Sequence, residues 1–176
     1  KNVKNMSGMF DKCYSFNRSL NFNTENVTNM LGMFSNAKSF NQLLNWKTEN
    51  VANMSDMFIN AKSFNQPLNL DTSNVTNMYR MFNGAKLFNQ PLNFDTIKVT
   101  NMKAMFLKAY SFNQPLNFTS TKKVTDMSYM FSESLSFNQP LNSWDVNNVL
   151  KFESMFNCPI SEENKPLFKI DYSILI

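Results

Sequence analysis

The chain has 176 residues, 17% of them charged, and a formal net charge of +4. This mild basicity falls short of the basic stripe that nucleic-acid binding requires. No apolar run is long enough to cross a membrane as a helix, and the absence of His removes the commonest general base and metal ligand.

Internal periodicity dominates everything else. Val3, Val27, Val51, Val75, Val99, Val124 and Val149 recur at steps of 24, 24, 24, 24, 25 and 25 residues. Each Val opens a unit with the same inward-looking positions. Three residues on stand Met6, Met30, Met54, Met78, Met102 and Met127, then Phe152. Six on stand Met9, Met33, Met57, Met81, Met105, Met130 and Met155, followed at once by Phe10, Phe34, Phe58, Phe82, Phe106, Phe131 and Phe156. All 13 Met residues fall in these two rows. A Met-rich surface can mark an adaptable binding groove, but strict phase assigns these residues to a core. A small residue follows (Cys13, Ala37, Ala61, Ala85, Ala109, Ser134), then a second Phe row from Phe16 to Phe137, a Leu row from Leu20 to Leu141, and the bulky row Phe22, Trp46, Leu70, Phe94, Phe118 and Trp144.

Taken in chain order, the first half of each unit predicts a short helix. Met30, Met33, Phe34 and Ala37 lie at i, i+3, i+4 and i+7, one helical face. Asn29 before them, like Asn5, Asn53, Asn77, Asn101 and Asp126, suits an N-cap. The second half, as in Pro67-Leu68-Asn69-Leu70-Asp71, alternates with period two and predicts a short strand opened by a tolerated Pro. The expected architecture is an α/β repeat solenoid over residues 1–160: a right-handed stack of about seven coils, each a short parallel strand plus a short helix. Residues 161–176 leave the repeat. Phe168, Ile170, Tyr172 and Ile174 alternate there, predicting a C-terminal cap after a loop at Glu162, Glu163 and Asn164. The extra residues near Thr119–Lys123 and at Ser143 are expected to be bulges that leave the core in register.

Two Asn rows accompany the core. Asn17, Asn41, Asn65, Asn89, Asn113 and Asn138 follow the second Phe and predict a hydrogen-bonded ladder along the stack. Asn21, Asn45, Asn69, Asn93, Asn117 and Asn142 lie between two inward residues and are expected to face solvent.

The unit Asn-Val-Thr-Asn-Met-x-x-Met-Phe-x-x-Ala-x-x-Phe-Asn-Gln-Pro-Leu-Asn, well preserved at Asn74–Asn93 and Asn50–Asn69, resembles the BspA-like leucine-rich repeat surface proteins. Among these it resembles in particular the mycoplasma surface-lipoprotein repeat known as a domain of unknown function. The resemblance covers about residues 1–157 and fails after Phe156. It implies an LRR-like fold and an extracellular, membrane-anchored parent protein with a role in adhesion, host interaction or antigenic display. It carries over no catalytic residue.

Catalytic chemistry is not expected. The carboxylates are scattered, three Gly cannot make a phosphate loop, and no Ser or Thr has an evident base. No cofactor or metal site is read from the sequence. Cys13 and Cys158 lie six coils apart, too far for an intramolecular disulfide in a stack. Candidate partner-binding residues are those pointing outward. Lys38, Lys62 and Lys86 share one position, flanked by Tyr14 and Tyr110; the column reads first as duplicated repeats with solvated Lys tips, and otherwise as an anion-binding stripe for acidic glycans or phospholipid headgroups. A second set, Leu31, Ile59, Tyr79, Arg80, Leu107 and Tyr129, sits on the outer face of the expected helices and would suit a host protein if contiguous. No nucleic acid is expected, membrane association only through an anchor outside these residues, and end-to-end self-association is an open possibility at the uncapped first coil. The alternative to a binding module is an architectural spacer with no ligand.

Overall fold

A computed structural model describes residues 2–168 of the chain. The 24-residue units stack as layers in register. Isolated parallel bridges run Asn5, Asn29, Asn53, Asn77, Asn101, Asp126 and Lys151, one residue per layer. The core is the expected one. Every Val from Val27 to Val149 is buried, as are every Met from Met30 to Met155 and the Phe pairs of the inner layers. The two Phe rows form parallel ring columns. Rings of the first row lie 5.6 Å apart from Phe34 through Phe58, Phe82 and Phe106 to Phe131. The second row repeats at 5.9 Å from Phe40 to Phe137. Within a layer the two rings stack at 4.0 to 4.2 Å, as for Phe34–Phe40 and Phe82–Phe88. Both added residues in the later layers leave this register intact.

The expected strand-plus-helix coil, and with it the LRR-like α/β solenoid, is overturned. Among the described residues the one helix is a 3₁₀ turn at Glu162–Asn164, and strand pairing is confined to isolated bridges. The reason lies in where the amides go. In the second layer Met30, Gly32, Phe34 and Asn36 donate to carbonyls of the next layer (Asn53, Ser55, Met57, Ile59) at 2.7 to 3.1 Å, whereas Met33, Ser35 and Ala37 donate three residues back. An α-helix needs each amide to bond four residues back. Half of these amides are committed to the neighbouring layer instead. The chain therefore advances by tandem turns, which return it to the same side every three to four residues. That reproduces the spacing of a helical face without a helix.

The turns require left-handed backbone at two positions per layer. Gly8, Gly32, Asp56, Arg80, Ala104 and Tyr129 occupy the first, with Ser154, at φ of 49 to 61°. Lys12, Asn36, Asn60, Gly84, Lys108 and Glu133 occupy the second, at 55 to 69°. A helix would admit none of these. All three Gly of the chain sit in this pattern, and at Gly84 a Cβ would come within 2.3 Å of Asn60 Oδ1.

The supposed N-cap Asn residues keep the acceptor role in a different element. Oδ1 of Asn5, Asn29, Asn53, Asn77 and Asn101 accepts the amide two residues on at 2.9 to 3.0 Å, and Asp126 does the same. This is an Asx turn. In the second half the side-chain alternation is as expected, with Leu68 and Leu70 buried and Asn69 exposed, but no ladder of backbone bonds forms. Bridges occur at Leu44–Leu68 and Leu92–Leu116. Prolines supply no donor, and just before them the Asn amides are taken by side chains. Asn65 Oδ1 accepts the Asn89 amide at 2.9 Å and Gln90 Nε2 at 3.1 Å. The same pair recurs from Asn17 to Asn113. The expected ladder is real, but its rungs run from Asn to the next layer's backbone and Gln, not amide to like amide. The second Asn row is exposed throughout.

Past the last layer, Ser161 N and Asn164 Nδ2 bond the final ladder residue, Asn138. Leu141 donates to the Asn164 carbonyl at 2.7 Å, and Phe168 stacks on Phe152 at 4.3 Å. Ile170, Tyr172 and Ile174 lie outside the described residues.

Candidate binding surface

Tyr14, Lys38, Lys62, Lys86 and Tyr110 occupy one position in five successive layers. The backbone fixes that position. Carbonyls of Tyr14, Lys38, Lys62 and Lys86 accept the amides of Ser39, Ser63, Leu87 and Ser111 one layer on, at 3.1 to 3.2 Å. Lys38 and Lys62 are exposed and Lys86 is half-buried. The flanking tyrosines are not bystanders. Lys38 Nζ lies 4.5 Å from the Tyr14 ring centroid, and Lys86 Nζ lies 4.7 Å from that of Tyr110. Each ring face offers its negative quadrupole to an ammonium. Among the described residues no carboxylate comes within ion-pair distance of these three lysines, although Lys12, Lys47, Lys108 and Lys165 all have one. The column is therefore positive charge held in register by the fold, drawn toward its two ends by the tyrosines.

The second candidate set is only partly brought together, and on turns where helices were expected. Leu31, Ile59 and Arg80 line one open groove of about 550 Å³ with Ser7, Gly8, Asp11, Gly32, Ser35, Asn36 and Asp56. Arg80 Nε donates to Asp56 Oδ1 at 2.7 Å, from the layer below, and its guanidinium lies 4.4 Å from the Tyr79 ring. Asp56 thereby neutralises the one Arg of the set. Leu107 and Tyr129 lie on later layers, outside that groove. Arg80 and Tyr129 stand at left-handed turn corners occupied by Gly8 and Gly32 in the first two layers, and both Gly line the groove.

Two rows went unread in the sequence. Thr24, Thr48, Thr72, Thr96 and Thr121 are buried to within 3% and each Oγ1 donates to a carbonyl of the next layer at 2.6 to 2.9 Å. Their phase, three residues before each Val, was the available signal. The other is the pair of left-handed corners, visible as Gly and Asp recurring at one phase and Gly, Asn and Lys at a second. Asp56 is the same phase as Arg80, 24 residues earlier, which is what identifies it as that side chain's partner.

Titration is perturbed at two positions away from these surfaces. Hydrogen bonds from the Ser73 hydroxyl and amide hold the Asp71 carboxyl below the usual range. Burial pushes the Cys158 thiol up. Cys13 and Cys158 are both free thiols. Among the described residues no cluster of three or more His, Cys, Asp or Glu is placed to hold a metal ion.

These features define a class: a stacked-turn repeat protein whose interior is Met and Phe columns and whose surface repeats any outward residue at layer spacing. A family model described as "Mycoplasma protein of unknown function, DUF285" matches residues 1–71 and again 68–167. The chain belongs to that family. No curated protein and no solved structure matches it.

Proposed function

We propose that this chain is a non-catalytic interaction module displayed on the cell surface, and that the Lys38–Lys62–Lys86 column is where it takes an acidic host glycan. One observation carries the reading. Three lysines recur on consecutive layers with a tyrosine at either end and no carboxylate partner among the described residues. Like charges held one layer apart repel, and a linear polyanion relieves that repulsion along the whole column. A fold that repeats a charge at fixed spacing suits a ligand that repeats its own. Membership in a Mycoplasma family and the likeness of the repeat motif to BspA-like surface proteins support the extracellular setting and a role in adhesion or antigenic display.

The test is chromatography and titration on immobilised heparin. The wild-type chain is expected to be retained and to elute early as salt is raised, because exposed charges are screened over about 8 Å at physiological ionic strength. The K38A/K62A/K86A variant is expected to flow through. Equal retention of both proteins refutes the column. The spacer reading rests on the polar outer row of Asn from Asn21 to Asn142, and it gains if neither heparin nor a panel of host-matrix proteins is bound.

A further inference from the structure

The bulky row contains two steps at which a Trp follows a Phe one layer earlier: Phe22 to Trp46, and Phe118 to Trp144. The structure builds the same groove at both. Phe22 and Trp46 stack at 6.4 Å and 25°, and Phe118 and Trp144 at 5.5 Å and 21°. Beside the first pair lies a groove of about 420 Å³, and beside the second one of about 510 Å³. Each is edged by the two exposed Asn of the solvent-facing row in those layers, Asn21 and Asn45 in one and Asn117 and Asn142 in the other. These four carboxamides make no hydrogen bond among the described residues, in contrast to the neighbouring ladder row, where every Oδ1 from Asn17 to Asn113 is engaged. The first groove has no charged side chain in its lining, and the second has one, Asp145.

A second observation sets the first groove apart. The indole N–H of Trp46 is buried with no hydrogen-bond partner, while the equivalent Trp144 reaches the Leu116 carbonyl at 3.5 Å. Buried donors are nearly always paired, so an orphan calls for an explanation. Here the orphan belongs to a residue that lines the groove.

We propose that these two grooves bind a neutral glycan. The partly exposed Phe22 and Phe118 give each groove an apolar edge that suits the apolar face of a sugar ring. A pair of free carboxamides, each both donor and acceptor, suits its hydroxyls, and the lack of charge in the first groove disfavours an ionic ligand. The grooves lie four layers apart on one face, so a single extended chain can engage both and gain from the linkage. This site is distinct from the Lys column, stands or falls without it, and asks for an uncharged ligand.

The test uses the two tryptophans as their own reporters. Phe occupies the same row at Phe22, Phe94 and Phe118, so W144F leaves Trp46 as the probe and W46F leaves Trp144. Each is titrated with neutral oligosaccharides of glucose, galactose, mannose and N-acetylglucosamine, following tryptophan emission. A saturable change is expected with at least one series. Binding should weaken roughly tenfold in N21A/N45A for the first groove and in N117A/N142A for the second, and should persist in K38A/K62A/K86A. These Asn bear no structural hydrogen bond, so their variants are expected to melt as the wild type does, and circular dichroism checks that. The proposal is overturned if none of the four series gives a saturable response, if the Asn variants bind undiminished, or if the responses prove to be lost with the Lys variant.

Discussion

Asn65 and Asn69 are the same residue type, four positions apart in one layer, and the structure gives them opposite weight. Asn65 Oδ1 holds the Asn89 amide at 2.9 Å and Gln90 Nε2 at 3.1 Å. Replacing Asn65 by Ala orphans a backbone donor in a half-buried position and releases a side-chain amide that water can partly satisfy. A hydrogen bond contributes about 1 kcal/mol net, and an orphaned buried donor costs about 1–3 kcal/mol. The expected loss for N65A is therefore about 2 kcal/mol. For a chain of this size that corresponds to roughly 4–8 °C in Tm. Asn69 is exposed and makes no hydrogen bond among the described residues, so N69A should stay within about 0.5 kcal/mol of wild type. N65D keeps an oxygen able to accept both bonds and should recover most of the loss at neutral pH. Urea titration and thermal melts followed by circular dichroism decide the matter. Equal destabilisation by N65A and N69A, or no recovery in N65D, would refute the ladder as a source of stability.

Three further outcomes are expected. Phe82→Ala opens the middle of both ring columns, where Phe82 lies 5.6 Å from Phe58 and Phe106 and 4.2 Å from Phe88, and should cost about 3–5 kcal/mol in the same melts. Gly84→Ala places a Cβ against Asn60 Oδ1 on a backbone with φ of 69°, and should lose about 1–3 kcal/mol, whereas Ala104→Gly, at a left-handed corner already carrying a Cβ at φ of 54°, should be neutral or stabilising. Asp71 has a folded pKa depressed below its unfolded value by Ser73. Its contribution is thus present above the unfolded carboxylate pKa of about 3.9 and lost as pH falls through the lower folded value. Acid-unfolding curves of S73A, which removes the hydroxyl bond and keeps the amide one, should lose the larger part of that increment, and an unchanged curve would show that the Ser73 hydroxyl does not matter.

Much of the interior was legible from spacing alone, and particular residues explain why. Met33, Phe34 and Ala37 are buried in the structure because an apolar row repeated in phase through seven units has nowhere else to go. The same logic identified the Asn17–Asn138 row as bonded and the Asn21–Asn142 row as solvent-facing. Local form was not legible in this way. The i, i+3, i+4, i+7 spacing at Met30, Met33, Phe34 and Ala37 belongs equally to a helical face and to tandem turns, and side-chain burial is blind to the difference. What separates them is the destination of the amides at Met30, Gly32, Phe34 and Asn36. That is set by carbonyls 23 residues away in the chain. A sequence hint existed in Gly8, Gly32, Asn36, Asn60 and Gly84, residue types that tolerate a left-handed backbone, but Arg80, Ala104 and Tyr129 hold the same corners and mask it.

The candidate surfaces divide in the same way. The phase of Lys38, Lys62 and Lys86 was set by the repeat itself, so their alignment could be read directly. That Tyr14 and Tyr110 turn their ring faces to the terminal lysines, that Asp56 neutralises Arg80, and that Trp46 keeps an unpaired N–H beside a groove while Trp144 does not, are relations between layers. By itself the sequence determined the period, the membership of the core and the outward columns, because repetition forces identical residues into one environment. Only the tertiary structure decided turns over helices and strands, and which outward groups are spent on neighbours or left free. Hydrogen bonds between layers answer to distance in space, and a one-dimensional pattern records only their phase.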